Sequence, residues 1–262
     1  MDRDDRAVSE VVGYLIIFAI VMLAMSVIYV NSLSAMLRTE EQSYLANVDQ
    51  SFKVMSFNIN RILAGSAPAQ SMEVRLRDST ISLLQKSTLN VSWMNRTSGG
   101  NDTTGVETLA TVEHYFRDRK IAYEGGGVWT KSPDGGVAML SAPPFIVDNT
   151  TVIPYATLST ANTSRSGRSL VHVELEVPCR VLGQCAPPVE TKINATRVTL
   201  NVTSEYCDGW KTFFERTLEF AAAHFDDADC ADNRVIANVT RRLSGANTTL
   251  HLADVAMQGS IQ

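Results

Sequence analysis

Nine asparagines, Asn90, Asn95, Asn101, Asn149, Asn162, Asn194, Asn201, Asn238 and Asn247, each stand two residues ahead of a serine or threonine with no proline between. That spacing is the acceptor pattern for an N-linked glycan. Beyond residue 89 only Asn233 lacks it, whereas Asn31, Asn47, Asn58 and Asn60 all lack it. With serine and threonine at roughly a sixth of positions, chance would supply about one or two acceptors among the later asparagines. The pattern predicts that the chain after residue 89 faces a glycosylating compartment.

Cysteine usage points the same way. Cys179, Cys185, Cys207 and Cys230 all fall in the last third and include no Cys-x-x-Cys pair of metal-ligand spacing. They predict an oxidising compartment and two disulfides. Sequential pairing, Cys179 with Cys185 and Cys207 with Cys230, is favoured over the two other connectivities because it staples two local units. Asp226, Asp227, Asp229 and Asp232, with Asn233, are dense enough in oxygen ligands to be a weak calcium candidate. Their spacing departs from the twelve-residue calcium loop, and a solvated acidic loop is the simpler reading.

His114, His172, His224 and His251 are scattered, with no His-Glu-x-x-His arrangement and no Gly-x-Ser-x-Gly elbow. His172 reads as a solvated strand residue. The chain is therefore read as non-enzymatic, with no cofactor. Gly125-Gly126-Gly127 and Pro133-Asp134-Gly135-Gly136 read as turns, and no Gly-Lys-Ser/Thr follows to make a phosphate loop. A net charge of −5 with no concentrated basic patch excludes nucleic acid as a partner.

The elements that must position these residues begin with a membrane anchor. Residues 11–30 carry no charge, and about 20 such residues span a hydrocarbon core as a helix. Residues 1–10 form the segment before this transmembrane helix, and residues 31–64 its amphipathic extension. In the extension Leu33, Leu37, Tyr44, Val48, Phe52, Met55, Ile59 and Ile62 recur at helical spacing. No proline precedes Pro68, so one helix is expected to end near Ala64-Gly65 and to pack its stripe on its own head domain.

Residues 65–262 form that head. The period becomes alternating at 72–76, 89–93, 171–177 and 197–202, with 235–239 and 249–255 as closing strands. Asn90 and Asn201 alternate with apolar neighbours and are expected on a solvent face. One late helix is expected to carry Trp210, Phe213, Phe214, Leu218 and Phe225 on a buried face after an Asp208 N-cap. The fold class is α+β: a long N-terminal transmembrane and amphipathic helix followed by a mainly antiparallel β head domain.

Arg6-Ala7-Val8-Ser9-Glu10-Val11-Val12-Gly13 runs directly into the apolar span. This segment, and nothing in the head, resembles the N-terminus of archaeal type IV pilin-like proteins, especially those of haloarchaea. The resemblance implies a leader, residues 1–7, cut between Ala7 and Val8 by a prepilin-type peptidase on the cytoplasmic side. Val8 would become the new N-terminus, with Glu10 near it, although Glu10 and Val11 stand where many such pilins have proline and valine. It further implies a pilin-like structural or minor-pilin subunit with a cytoplasmic N-terminus and an extracellular head. Its partners would be the lipid bilayer and copies of itself or other pilin-like subunits. The alternative is a single-pass anchored extracellular module that binds a ligand or adhesion partner and needs no cut.

Overall fold

The computed structural model describes residues 4–64, 69–177, 189–241 and 247–262. The chain divides into two units, Met1–Val48 and Asp49–Gln262. Helix α1 (Asp4–Leu63) begins in the first and ends in the second. In the first unit the apolar stretch leaves large side chains such as Ile16, Phe18, Leu23 and Tyr29 exposed. This helix is long and apolar enough to cross a membrane, and none of its most apolar window is buried by protein. Its polar side chains turn back on the helix: Ser26 donates to the Met22 carbonyl, Asn31 to Val27, Ser34 to Val30 and Thr39 to Ala35. Ser26 lies within the uncharged span, where bonding to the carbonyl four residues earlier suits a surrounding that offers no water; Asn31, Ser34 and Thr39 lie in the extension.

Residues 49–63 of α1 belong to the second unit, whereas the sequence places the start of the head at residue 65. The reason is burial, because Phe52, Met55, Ile59 and Ile62 are all core residues. At the start of this segment Asp49 accepts two hydrogen bonds from Arg119, at 2.8 and 3.0 Å.

The strands follow as β1 (Ala69–Arg75), β2 (Ser79–Asn95), β3 (Asn101–Thr103), β4 (Glu107–Phe116), β5 (Arg119–Glu124), β6 (Gly127–Lys131) and β7 (Val137–Ser141). Then come β8 (Ile146–Val147), β9 (Thr150–Leu158), β10 (Thr163–Gly167), β11 (Leu170–Glu176) and β12 (Val189–Thr203). Helix α2 (Cys207–Arg216) leads to β13 (Phe225–Asp227), β14 (Arg234–Asn238) and β15 (Asn247–Ile261). The main sheet runs β1-β11-β15-β12-β2-β4-β5-β6-β7. Its pairings are antiparallel apart from β9 alongside β15. The head is thus a mainly antiparallel sheet, as the alternation predicts.

The two helical segments cover opposite faces of β4 and β5. On one face the Phe52 and His114 rings meet at 6.4 Å, and Ser56 and Asn60 donate to the Gly126 carbonyl. On the other, the Tyr206 hydroxyl reaches Glu113 and Trp210 reaches Glu124. A β-bulge in β2 between Gln85 and Ser87 inserts Lys86 as an extra residue and changes which side chains face which layer. Before it, Ile81 stands opposite His114; after it, Leu89, Val91 and Trp93 join the core built around α2.

Helix α2 is shorter than its aromatic spacing suggests. It ends at Arg216, and Phe225 reaches the same core from β13. Tyr206 rather than Asp208 occupies the N-cap, and Asp208 lies in the first turn, where its charge complements the helix dipole. The Cys207–Cys230 disulfide, with a Cα separation of 5.7 Å, ties the start of α2 to the segment after β13. Cys179 and Cys185 lie outside the described residues.

Candidate functional site

The sheet face under α2 holds a polar cluster that runs from the buried Glu124 and Glu113 out to the half-buried Glu205 and the exposed Lys86. Its scaffold is the β5–β6 turn, where Gly125 and Gly126 both have positive φ, 58° and 88°. That is the conformation a two-residue hairpin loop requires and glycine adopts without strain. The lack of a side chain also lets the Trp210 ring lie on the turn: a Cβ on Gly125 would sit 2.6 Å from it. Trp210 further packs on Trp129, Phe145, Phe213 and Phe214.

Glu124, with no exposed surface, accepts hydrogen bonds from the Trp210 indole at 2.9 Å and from the Ser87 hydroxyl. Burial pushes its carboxyl up, against the lowering effect of hydrogen bonds from Ser204, Ser87 and Trp210. Next to it, Glu113 accepts from Tyr206 at 2.7 Å and pairs with Lys86 at 2.5 Å. Lys86, Lys120 and Lys131 converge on Glu205 at 3.1, 2.7 and 3.4 Å. Burial alone would raise the Glu205 carboxyl, but hydrogen bonds and charge from Lys120 and Lys86 hold it at about 2. Glu205 therefore stays ionised and fully ion-paired, a state suited to holding strands together rather than to moving protons. Beside it opens a cleft of about 370 Å³ lined by Tyr115, Asp118, Lys120, Lys131, Ser132, Pro133, Gly135 and Glu205.

The glycan acceptors fall into distinct settings. Asn101, Asn149, Asn162, Asn194 and Asn247 are exposed, and Asn95 is half-buried at the head of a turn that its side chain caps. Asn90 and Asn201 are half-buried rather than on an open solvent face, because they stand directly opposite each other on β2 and β12. Asn238 differs from the other acceptors in burial. It is 7% exposed, and its Oδ1 accepts the hydroxyl of Thr240, its own acceptor-pattern threonine.

Asp227 is held by Arg234 at 2.9 Å and accepts the Asp229 backbone N–H. Among the described residues no group of three or more His, Cys, Asp or Glu side chains is placed to hold a metal, so Asp226, Asp227, Asp229 and Asp232 do not form one. His172 is exposed on β11, 3.6 Å from Glu73. Arg6, Ala7, Val8 and Glu10 all lie on the backbone of α1.

A family model matches residues 6–258, a stretch that takes in the apolar helix and the sheet together. The chain belongs to the DUF7289 family. DUF7289 is described as a family of unknown function. An uncharacterized protein of Archaeoglobus fulgidus is 33% identical over 79 residues, which span 30% of this chain and only 26% of that relative. A second uncharacterized protein of Archaeoglobus fulgidus is 23% identical over 255 residues, 88% of this chain and 91% of the relative. No solved structure matches the chain. In this DUF7289 member the cluster of Lys86, Glu113, Glu124 and Glu205 escapes motif reading because its members lie far apart in sequence. The one available signal is a glutamate inside each of two apolar strand runs, Thr111-Val112-Glu113-His114 and Ala122-Tyr123-Glu124.

Proposed function

We propose that this protein is a pilin-like structural or minor-pilin subunit of the cell surface, anchored by α1 with the head outside the cell. One observation carries the reading: a single helix supplies both an apolar span with nothing packed on it and, at its other end, core residues of the β head. A cleavable signal needs no such second role. The resemblance of Arg6-Ala7-Val8 to a prepilin junction and the absence of glycan acceptors before residue 90 agree with a helix that bundles with copies of itself. Its role is structural rather than enzymatic. The deciding measurement is the N-terminus of the mature protein taken from membranes: Val8 supports the reading, and an intact Met1 or Asp2 overturns it.

The second reading is a single-pass anchored module whose head binds a ligand. The cleft between Lys120, Lys131 and Tyr115 favours it, and an uncut N-terminus on accessible, unassembled protein is its expected outcome.

A further inference from the structure

Strand register brings together acceptor asparagines that the sequence scatters over more than half the chain. Asn95 ends β2 beside Ala195, the residue after Asn194 on β12. Asn194 stands opposite Thr249 on β15, and Asn247 opposite Thr196 on β12. The Asn149 carbonyl accepts the Thr249 N–H at 3.0 Å, and Asn101 pairs with Met94, the neighbour of Asn95. Five acceptors thus gather where β9, β15 and β3 begin, where β2 ends, and where β12 passes from pairing with β15 to pairing with β2 around Asn194–Thr196. The other end of the 17-residue β2 lies roughly 50 Å away at ~3.3 Å per residue. There Thr80 pairs with Tyr115, close to the Phe116–Arg119 pair, and Arg119 binds Asp49, where the chain enters this unit.

We propose that the head carries a cluster of N-linked glycans on Asn95, Asn101, Asn149, Asn194 and Asn247 at the sheet end opposite Asp49, with Asn162 as a separate sixth site. Asn238 stays bare, and Asn90 and Asn201 accept at most one glycan between them. The inference rests on the outward-facing head of the proposed function. The donor is a glycan esterified to a lipid phosphate. The asparagine Nδ2 bonds to the anomeric carbon as the carbon–oxygen bond to phosphate breaks; the amide gives up one proton and the lipid phosphate is the leaving group, with no change in oxidation state. Transfer requires that the finished linkage fit outside the fold. Asn238 fails because it is buried on β14. Asn90 and Asn201 are cross-strand partners ~5 Å apart, and the Oδ1 of Asn201 is already shut away from solvent. The five clustered sites stand at the far end of β2 from the Arg119–Asp49 contact, whereas Asn162, whose Oδ1 accepts the Gln85 N–H, lies along β2 between the two ends.

The test is glycopeptide mass spectrometry on the full chain isolated from membranes of its own host with Cys207–Cys230 intact. Glycan mass is expected on the peptides holding the five clustered asparagines and Asn162, with the Asn238 peptide unmodified. Replacing Asn101, Asn149 and Asn194 together by glutamine is expected to remove three glycans from the intact mass, whereas Asn238→Gln removes none. Glycan on Asn238, on both Asn90 and Asn201, or on none of the clustered five overturns the proposal. Protease applied to intact cells separates the two failures. A digested head with bare acceptors sinks the glycan cluster alone, and a protected head sinks the outward orientation as well.

Discussion

Glu124 holds both indoles of the aromatic core: its backbone carbonyl accepts Trp129 Nε1 at 3.1 Å and its side-chain Oε1 accepts Trp210 Nε1 at 2.9 Å. A carboxylate whose burial opposes ionisation is retained because it organises two layers at once. Glu124→Ala is expected to strand the Trp210 N–H and the Ser87 hydroxyl and to destabilise the head by about 2–4 kcal/mol. Glu124→Gln keeps a carbonyl acceptor for Trp210 and is expected within ~1 kcal/mol of the parent. Denaturant unfolding of the two variants checks the order, and equal losses would show that hydrogen bonding is not what Glu124 supplies.

Gly125→Ala tests the turn on which Trp210 lies. The new methyl would meet the indole at 2.6 Å at a residue with φ of 58°. Strain and overpacking together are expected to cost about 2–4 kcal/mol and to shift the near-ultraviolet signal of Trp210. Gly135, with positive φ but open space around it, is the control, and Gly135→Ala should lose only the backbone part.

Cys207→Ser removes the bond that spans 23 residues and pins the start of α2. Loop-closure entropy for that length predicts a loss of about 3 kcal/mol. Non-reducing peptide mapping should recover Cys207 linked to Cys230, and recovery of either cysteine joined to Cys179 or Cys185 would contradict the fold described here.

His114 gives the head an acid-sensitive step. Burial, with the nearby Arg119 charge, holds its imidazole down at about 4. The folded head therefore binds fewer protons than the unfolded chain below the usual histidine value of ~6.5. Its stability is full above that pH and falls as pH drops toward 4, by on the order of 3 kcal/mol. His114→Leu should flatten this part of the profile, and thermal melts of parent and variant across the window isolate the contribution. Below it, protonation of Glu205, held at about 2, adds a separate loss.

Arg6→Glu addresses processing. In the pilin-like reading the cut after Ala7 removes Asp2, Arg3, Asp4, Asp5 and Arg6. Each charge costs at least ~2.5 kcal/mol at the bilayer centre, so their loss eases withdrawal of the helix from lipid. The variant is expected to keep its full N-terminus and to stay membrane-bound and unassembled. Assembly of an uncut Arg6 variant would show that the cut is not what frees the helix to assemble, and an uncut parent protein that stays unassembled would favour the anchored-module reading.

What the residues determine locally was legible without a structure. An uncharged run of membrane length, alternating strands such as the one holding Val171, Val173 and Leu175, and the acceptor pattern are all properties of short windows, because hydropathy and side-chain period act over a few residues. The helical stripe was equally plain, but only its later part, Phe52, Met55, Ile59 and Ile62, packs in the head, whereas Leu33 and Leu37 at its start stay exposed. Only the tertiary structure decided where the windows meet. The bulge at Lys86 reassigns which β2 side chains face α2, β14 buries Asn238, and the register of β12 against β2 and β15 gathers Asn95, Asn194 and Asn247 at one sheet end. Those outcomes depend on pairing between distant residues, such as Gln85 with Ala110, 25 positions apart, and Asn95 with Ala195, 100 apart, and a two-residue period carries no information about which strand lies alongside.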